Sequence, residues 1–194
     1  MAAPKDLKDI RNITISGRIG SGATTLAVSL SEKLGWDLFE GGALFEKIMA
    51  DLHLDQSLVE KRPDHFDLEY EERIEKMLRD EKHHIIQSHL AGYDAQDIPG
   101  VFKILVICED KHGIDMRDIR IDRLVNRDGK SVEDAKQEVL EREKEHLAKF
   151  RRLYANNDPE WVYWQRDYYD LVINTFDHNK EDALRVSLEA LGVK

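Results

Sequence analysis

The chain has 194 residues, of which 35% are charged and 41% are hydrophobic, and its formal net charge is -10 at pH 7. A chain of this length is expected to form one compact domain with a substantial buried core. Non-specific nucleic-acid binding needs a broad basic surface that neutralises phosphates, and the acidic balance argues against it. We therefore expect no nucleic-acid partner, and any phosphate site must be local.

The sequence also lacks a targeting or membrane signal. Residues 1–10 are polar, and no later segment has the uninterrupted apolar length of a membrane-spanning helix. The single cysteine, Cys108, excludes an internal disulfide framework and lies in an apolar run, which favours a buried structural thiol. We predict a cytoplasmic monomer with no membrane partner.

The first predicted strand, 12–17, runs into a glycine-rich segment with the sequence Gly17-Arg18-Ile19-Gly20-Ser21-Gly22-Ala23-Thr24. This segment fits the phosphate-loop pattern G-x-x-x-x-G-K-[ST] except at Ala23, where the pattern has lysine. In such loops, backbone N–H groups bind phosphates and the final hydroxyl holds Mg²⁺. The pattern therefore predicts a nucleotide site with Thr24 on the metal, made by Gly17, Gly20, Ser21, Gly22, Ala23, Thr24 and Thr25. A simple glycine turn is the alternative, but it does not explain three glycines and two threonines at this spacing.

Strands and helices alternate along the rest of the chain. Further strands are predicted at 37–40, 84–88, 102–108 and 170–174, and helices at 24–34, about 43–51, 64–80 and about 180–191. This alternation is typical of an α/β sheet with parallel strands. Leu68, Ile74 and Leu78 predict an apolar side for the helix over 64–80. We expect Asp67 or Glu71 of this helix either to orient a substrate or to lie on a solvated face.

A charged helical region over 115–154 follows the fourth strand and is broken at 128–131, where Ser131 and Asp134 predict a helix cap. Its arginines at 117, 120, 123 and 127 are three or four residues apart, so they share one helix face. Such a stripe could bind phosphates, or it could be a solvated face with ion pairs such as that of Glu138 with Arg142. The phosphate loop favours the first interpretation, because phosphoryl transfer needs cations around the transferred group.

Several segments together resemble the archaeal-type cytidylate kinase family. They are the strand and phosphate loop, the run Ser88-His89-Leu90-Ala91-Gly92-Tyr93, the arginine run through Arg127-Asp128-Gly129-Lys130-Ser131, and Tyr169-Asp170-Leu171-Val172-Ile173-Asn174-Thr175. The resemblance implies the α/β P-loop nucleoside monophosphate kinase fold, with three layers, a five-stranded parallel sheet in the order 2-3-1-4-5 and a helical lid. It implies one domain over 1–194, with a monophosphate-binding region at about 42–82 and a lid at about 115–154.

The resemblance also implies an activity and roles for individual residues. ATP with Mg²⁺ would phosphorylate CMP or dCMP. Arg120, Arg123 and Arg127 match the lid pattern R-x-x-R-x-x-x-R, and Arg142 matches a second lid arginine near the transferred phosphoryl group. The archaeal-type branch has threonine rather than lysine at the position of Ala23, so the absence of lysine is a trait of that branch.

The acceptor side departs from the family pattern. Glu46 occupies the position where the family has an arginine that binds the phosphate of the monophosphate. His89 occupies the position of an arginine that is implicated in recognition of the base. Lys149 replaces another lid arginine. Arg73 is the candidate replacement for the phosphate-binding arginine, since the family has basic residues near it. These substitutions leave two hypotheses open. The protein is either a nucleoside monophosphate kinase, or a nucleotide-binding protein that has a degraded kinase scaffold and weak or no catalytic activity.

Overall fold

Five parallel strands form one sheet in the order β2-β3-β1-β4-β5 within residues 4–53 and 59–193, the part of the chain that the computed structural model describes. The strands are β1 Asn12–Gly17, β2 Asp37–Glu40, β3 His84–Gln87, β4 Val101–Ile107 and β5 Leu171–Asn174. Residues 54–58 of the predicted monophosphate-binding region lie outside the described part. The sheet confirms the predicted strand order, and each strand boundary is within one residue of its prediction.

Helices connect the strands and cover both faces of the sheet. They are α1 Ala23–Leu34, α2 Gly41–Asp51, α3 Asp64–Asp80, α4 Ala91–Asp94, α5 Arg117–Asp128, α6 Val132–Gln137, α7 Glu143–Tyr154 and α8 Lys180–Ala190. A π-helical turn, Glu138–Arg142, joins α6 to α7 without a break. The charged region after β4 is therefore a helical pair, as predicted, and the Ser131 hydroxyl caps its second member by accepting the Asp134 N–H at 3.1 Å.

The two faces of the sheet bury separate apolar clusters. Ile85 of β3 packs with α1 and α8 on one face, whereas its neighbour Ile86 packs with α3 and α4 on the other. This alternation follows from the pleat, which points successive side chains to opposite faces. The result is the predicted three-layer arrangement. Cys108, directly after β4, is buried, as the apolar run predicted.

The buried side of α3 differs from the prediction. Ile74 and Leu78 are fully buried, but Leu68 is 48% exposed, and the acidic residues Asp67 and Glu71 are buried in its place. Asp67 can be buried because Arg62 and Lys149 both pair with its carboxylate. The solvated-face alternative for these two acidic residues is therefore wrong.

No helix in residues 4–53 or 59–193 has both the length and the apolar character needed to cross a membrane.

The core makes a direct prediction for α1. Leu30 is fully buried, whereas Val28 on the same helix is 36% exposed. Leu30→Ala should lower the free energy of unfolding by about 2–5 kcal/mol because it leaves a cavity, and Val28→Ala should change it by about 0.5 kcal/mol or less. Urea unfolding of both variants measures the difference, and equal losses would contradict this packing.

Candidate active site

The phosphate loop joins β1 to α1 at the carboxyl end of the central strand. Gly20 and Gly22 have φ angles of 77° and 103°, in the left-handed region that side chains disfavour. A Cβ atom on Gly20 would also lie 2.6 Å from the carbonyl oxygen of Arg120. The loop therefore needs these glycines, and it presents the N-terminus of α1, which favours bound anions.

Ala23 is the first residue of α1 and is buried, so no side-chain cation extends from the lysine position. The next residue, Thr24, donates its hydroxyl hydrogen to Gln87 Oε1 at the end of β3 over 3.3 Å. A hydroxyl and an amide oxygen are hard oxygen donors of the kind that Mg²⁺ accepts, and Mg²⁺ takes its other ligands from water and phosphates. Thr24 therefore fits the predicted metal contact. The described residues hold no cluster of three or more His, Cys, Asp or Glu side chains suited to a metal.

A cavity of about 460 Å³, here called the larger cavity, opens beside the loop. The loop and α1 contribute Gly20, Gly22 and Thr25, the helix α5 contributes Arg123 and Arg127, and the segment from β5 to α8 closes the far side. This volume is in the range of small-molecule sites, which is about 300–1,000 Å³. The structure thus brings three of the seven predicted loop residues and two of the predicted lid arginines to one cavity.

Arg123 connects α5 to the loop and to the end of β5. Its Nη1 atom donates to the Ser21 carbonyl at 3.1 Å and to Thr175 Oγ1 at 2.8 Å, and Nη2 donates to the Thr175 carbonyl at 2.8 Å. Thr175 in turn donates its hydroxyl hydrogen to the Ser21 carbonyl at 2.7 Å. The loop carbonyl is therefore held from two sides.

Arg120 lies in a buried ion network rather than on an exposed stripe. Its guanidinium pairs with Asp115 at 2.7 Å and Glu143 at 2.9 Å, and Nη1 donates to the Ile19 carbonyl at 2.6 Å. Arg18 pairs with the same two carboxylates, and its guanidinium lies 4.5 Å from the ring centroid of Trp164. The expectation of one continuous phosphate-binding stripe is wrong for Arg120, because both of its acidic partners lie outside α5 and draw it into the protein.

A second cavity of about 60 Å³, here called the smaller cavity, lies between α2, α3, the end of β3 and α7. Arg62, Glu71, His89, Arg142 and His146 are among its lining residues. It adjoins the loop through Gln87, the partner of Thr24. A volume of 60 Å³ is far below that of a nucleotide site. The smaller cavity is therefore closed against a ligand of that size.

Only some of the residues predicted to bind the acceptor line a cavity. His89 lines the smaller cavity, as does the predicted lid residue Arg142, which donates to Glu138 Oε1 at 3.1 Å. Glu46 is exposed on α2, and Arg73 is exposed with its guanidinium 5.5 Å from the ring centroid of Phe39. Lys149 is fully buried, 2.8 Å from Asp67 Oδ2. These last three residues are not among the residues that line either cavity.

The two histidines of the smaller cavity are uncharged at neutral pH. Burial lowers the pKa of His89 to about 4, and its Nδ1–H donates to the Gly17 carbonyl at 3.1 Å. Burial also lowers the pKa of His146, and the neighbouring His89 adds to this shift. The cationic character of this cavity therefore comes from its arginines.

Acidic groups beside this cavity also lose charge. Burial raises the pKa of Asp94 to about 7, and burial together with the charge of Asp94 raises the pKa of Glu71. The two carboxyl groups hydrogen-bond to each other, and Glu71 Oε2 and Asp94 Oδ2 have no other hydrogen-bond partner among the described residues. At least one carboxyl of this pair is thus protonated near neutral pH, which limits its repulsion of an anion.

Sequence identity to named proteins shows the family of this chain. No protein-family model matches the chain. It is 32% identical over 166 residues to the cytidylate kinase of Natronomonas pharaonis, covering 84% of this chain and 80% of that protein. The chain belongs to the cytidylate kinase family. The cytidylate kinase of Ignicoccus hospitalis is 30% identical over 167 residues, with 84% and 88% covered, and that of Archaeoglobus fulgidus is 26% identical over 186 residues, with 94% and 95% covered.

Solved kinase structures share the fold of this cytidylate kinase family member. A gluconokinase from Sinorhizobium meliloti has a TM-score of 0.58 at 14% identity, with 95% of this chain and 93% of that chain covered. Shikimate kinase from Acinetobacter baumannii has a TM-score of 0.50 at 16% identity, with 94% and 91% covered. The chain therefore has a P-loop kinase fold, and its family membership makes it a phosphotransferase.

Several residues of the kinase site were not predicted from sequence. They are Arg18, Arg62, Gln87, Glu143 and Thr175. Arg18 and Thr175 lie inside the segments that carried the family resemblance, so their positions in the sequence could have marked them as site residues. The sequence around Arg62 and Glu143 gives no such indication, because tertiary packing brings their partners to them.

The protonated carboxyl pair predicts a pH-dependent stability. The pKa of Asp94 is raised in the folded kinase, so its contribution is fully present below the unfolded value of 3.8 and is lost as pH rises through about 7. Asp94→Asn removes this titration. The unfolding free energy of the wild type should therefore fall relative to Asp94→Asn as pH rises from 4.5 to 8, as urea unfolding would measure. A difference that is constant over this range would contradict the assignment.

The arginine network predicts a contrast between two lid arginines. Arg120→Gln removes a buried guanidinium and leaves Arg18 as the cation that the half-buried Asp115 and the buried Glu143 share, so it should lower the unfolding free energy by about 3 kcal/mol. Arg127 is exposed on the same helix, where solvent screens its interactions, so Arg127→Gln should change the unfolding free energy by about 1 kcal/mol or less. Chemical unfolding of the two variants in parallel tests this. Similar values for both would show that the burial of Arg120 has no energetic consequence.

Proposed function

We propose that the protein transfers the γ-phosphoryl group of ATP to a nucleoside monophosphate, with CMP or dCMP as the acceptor. The observation that carries this proposal is the position of the phosphate loop between two cavities. The larger cavity lies beside Gly20 and Gly22, and the smaller cavity meets the loop through the Thr24–Gln87 contact. The curated relatives named cytidylate kinase support the choice of acceptor.

On the donor side, ATP occupies the larger cavity and its phosphates lie on the loop. The amides of residues 17–25 and the N-terminus of α1 bind the phosphate oxygens. Thr24 contributes its hydroxyl to Mg²⁺, which when bound neutralises charge that develops on the phosphates. Arg127 lines the same cavity from α5, so it is placed to contact the nucleotide from the lid side.

Charge stabilisation during transfer falls to the lid, since Ala23 supplies no cation. Arg142 lines the smaller cavity and belongs to the π-helical turn that precedes α7. We assign it the contact with the transferred phosphoryl group. Arg120 and Arg123 act as positioning residues in this proposal, because their guanidinium groups hold the carbonyls of Ile19 and Ser21. Phosphoryl transfer needs positioning and electrostatic stabilisation above all, and no general base is required.

The closed smaller cavity gives the lid its role. Lys149 of α7 donates to the Val59 carbonyl at 3.2 Å, and Arg152 pairs with Asp64 at 2.6 Å, so the lid at about 115–154 contacts the region at about 42–82 directly. Admission of a monophosphate requires these two regions to separate, and their return excludes water from the reaction. Both regions belong to one domain over 1–194, which we take to act as a monomer in the cytoplasm.

A nucleotide-binding protein without turnover is the second candidate. The absence of a cation at Ala23 and the exposed carboxylate of Glu46 favour it. Binding tolerates such losses better than catalysis, because the loop amides alone bind phosphates.

Purified protein with ATP, Mg²⁺ and a panel of nucleoside monophosphates tests the two candidates. We expect ADP to form in proportion to CMP or dCMP, and to stop when EDTA removes Mg²⁺ and resume when Mg²⁺ is restored. Thr24→Val keeps the shape of the side chain but removes the proposed metal ligand, and should lower kcat by about tenfold or more. Calorimetric binding of ATP without acceptor-dependent ADP would favour the second candidate and reject the kinase.

A further inference from the structure

A monophosphate acceptor carries a dianion, so the smaller cavity needs a cation on the side that faces α2 and α3. The residue at the family position, Glu46, is an exposed acid, and the alternative candidate Arg73 is exposed and points across Phe39. Among the described residues that line the smaller cavity, the permanent cations are Arg142, on the lid, and Arg62. Arg62 comes from the acceptor side, directly after the 3₁₀ turn Val59–Lys61.

Arg62 is rigidly held. Its side chain is 2% exposed, and its Nε–Nη2 edge forms a two-pronged pair with Asp67, in which Nε donates to Oδ2 at 3.1 Å. The guanidinium carbon lies 4.1 Å from the ring centroid of Phe45, which fixes the plane of the group. Nη1 takes no part in the pair with Asp67. A guanidinium fixed in this way loses little conformational entropy when it binds an anion.

The charge balance around Arg62 favours an anion. Asp67 is shared between Arg62 and Lys149, whose Nζ atom lies 2.8 Å from Asp67 Oδ2. These three buried side chains carry two positive charges and one negative charge; the next carboxylate, Asp64, is 3.7 Å from Lys149 Nζ but is 40% exposed and pairs with Arg152 at 2.6 Å. The excess positive charge is next to the cavity and is poorly screened by solvent, since all three groups are at most 2% exposed.

We propose that Arg62 binds the phosphate of the acceptor, in place of the arginine that is absent at position 46. This inference rests on the proposed function. Asp67 is then a positioning residue that aims the guanidinium. Lys149 links the contact to the lid, because its Nζ atom also donates to the carbonyls of Val59 and Arg62.

Substitutions at Arg62 test the assignment by steady-state kinetics and calorimetry. Arg62→Gln should raise the KM and the Kd for CMP by about 10- to 100-fold, the usual loss for a charged hydrogen bond. The Kd for ATP should stay within about twofold, since ATP binds at the other cavity. Arg62→Lys keeps the charge without the fork and should give an intermediate increase. Arg79→Gln, an exposed arginine on α3, is the matched control and should match the wild type.

A phosphate contact and a base contact give different patterns across acceptors. Loss of a phosphate contact should raise the Kd values for CMP, dCMP and UMP by the same factor, whereas loss of a base contact changes their ratios. A change in ratio, or unchanged Kd values in both Arg62 variants, would overturn the proposal. An increase seen in Arg73→Gln but not in Arg62→Gln would also overturn it. Arg62→Lys and the ATP affinity serve as checks on folding, because both require an intact protein.

The outcomes separate this inference from the proposed function. If the wild type binds CMP in an Arg62-dependent way but forms no ADP, Arg62 keeps its role and the kinase activity is rejected. If the wild type forms ADP and the Arg62 variants behave as the wild type, the activity stands and the role of Arg62 is rejected. If the wild type binds no monophosphate, both are rejected.

Discussion

The site depends on the way that the carbonyl groups of the phosphate loop are held. Arg120 binds the Ile19 carbonyl and Arg123 binds the Ser21 carbonyl, and both arginines come from one helix that follows β4. A short loop whose carbonyls are held on one side presents its N–H groups on the other, where an anion can bind them. The loop geometry is therefore imposed by α5 and by Thr175, and the missing lysine does not disturb it.

The fold was predictable from sequence because its signals are local. The β-branched strands, the glycines of the loop and the cap at Ser131 each lie within a few residues of the feature that they specify. The three-layer order then follows from the alternation of strands and helices. The loop residues were predictable for the same reason, since their spacing is itself the motif.

The rest of the site was not predictable because it depends on distant ion pairs. The spacing of Arg120 and Arg123 is that of one helix face, yet Glu143, which is 23 residues further along, draws Arg120 into the protein. Asp67 and Glu71 have the pattern of a solvated helix face, and Asp67 is buried because Lys149 reaches it from α7. Helical periodicity cannot reveal partners of this kind, which tertiary packing alone brings together.

Without a lysine on the loop, cations reach the reacting phosphates at a later stage of the proposed reaction. A lysine on the loop would contact the phosphates of ATP whenever ATP is bound. In the proposed reaction Arg142, which is assigned to the transferred group, is next to α7, and Arg62, which is assigned to the acceptor phosphate, is tied to α7 through Lys149. Electrostatic stabilisation of the transition state then requires the lid and the acceptor region to be in contact. Because that contact also excludes water, transfer to water is disfavoured while the acceptor is absent.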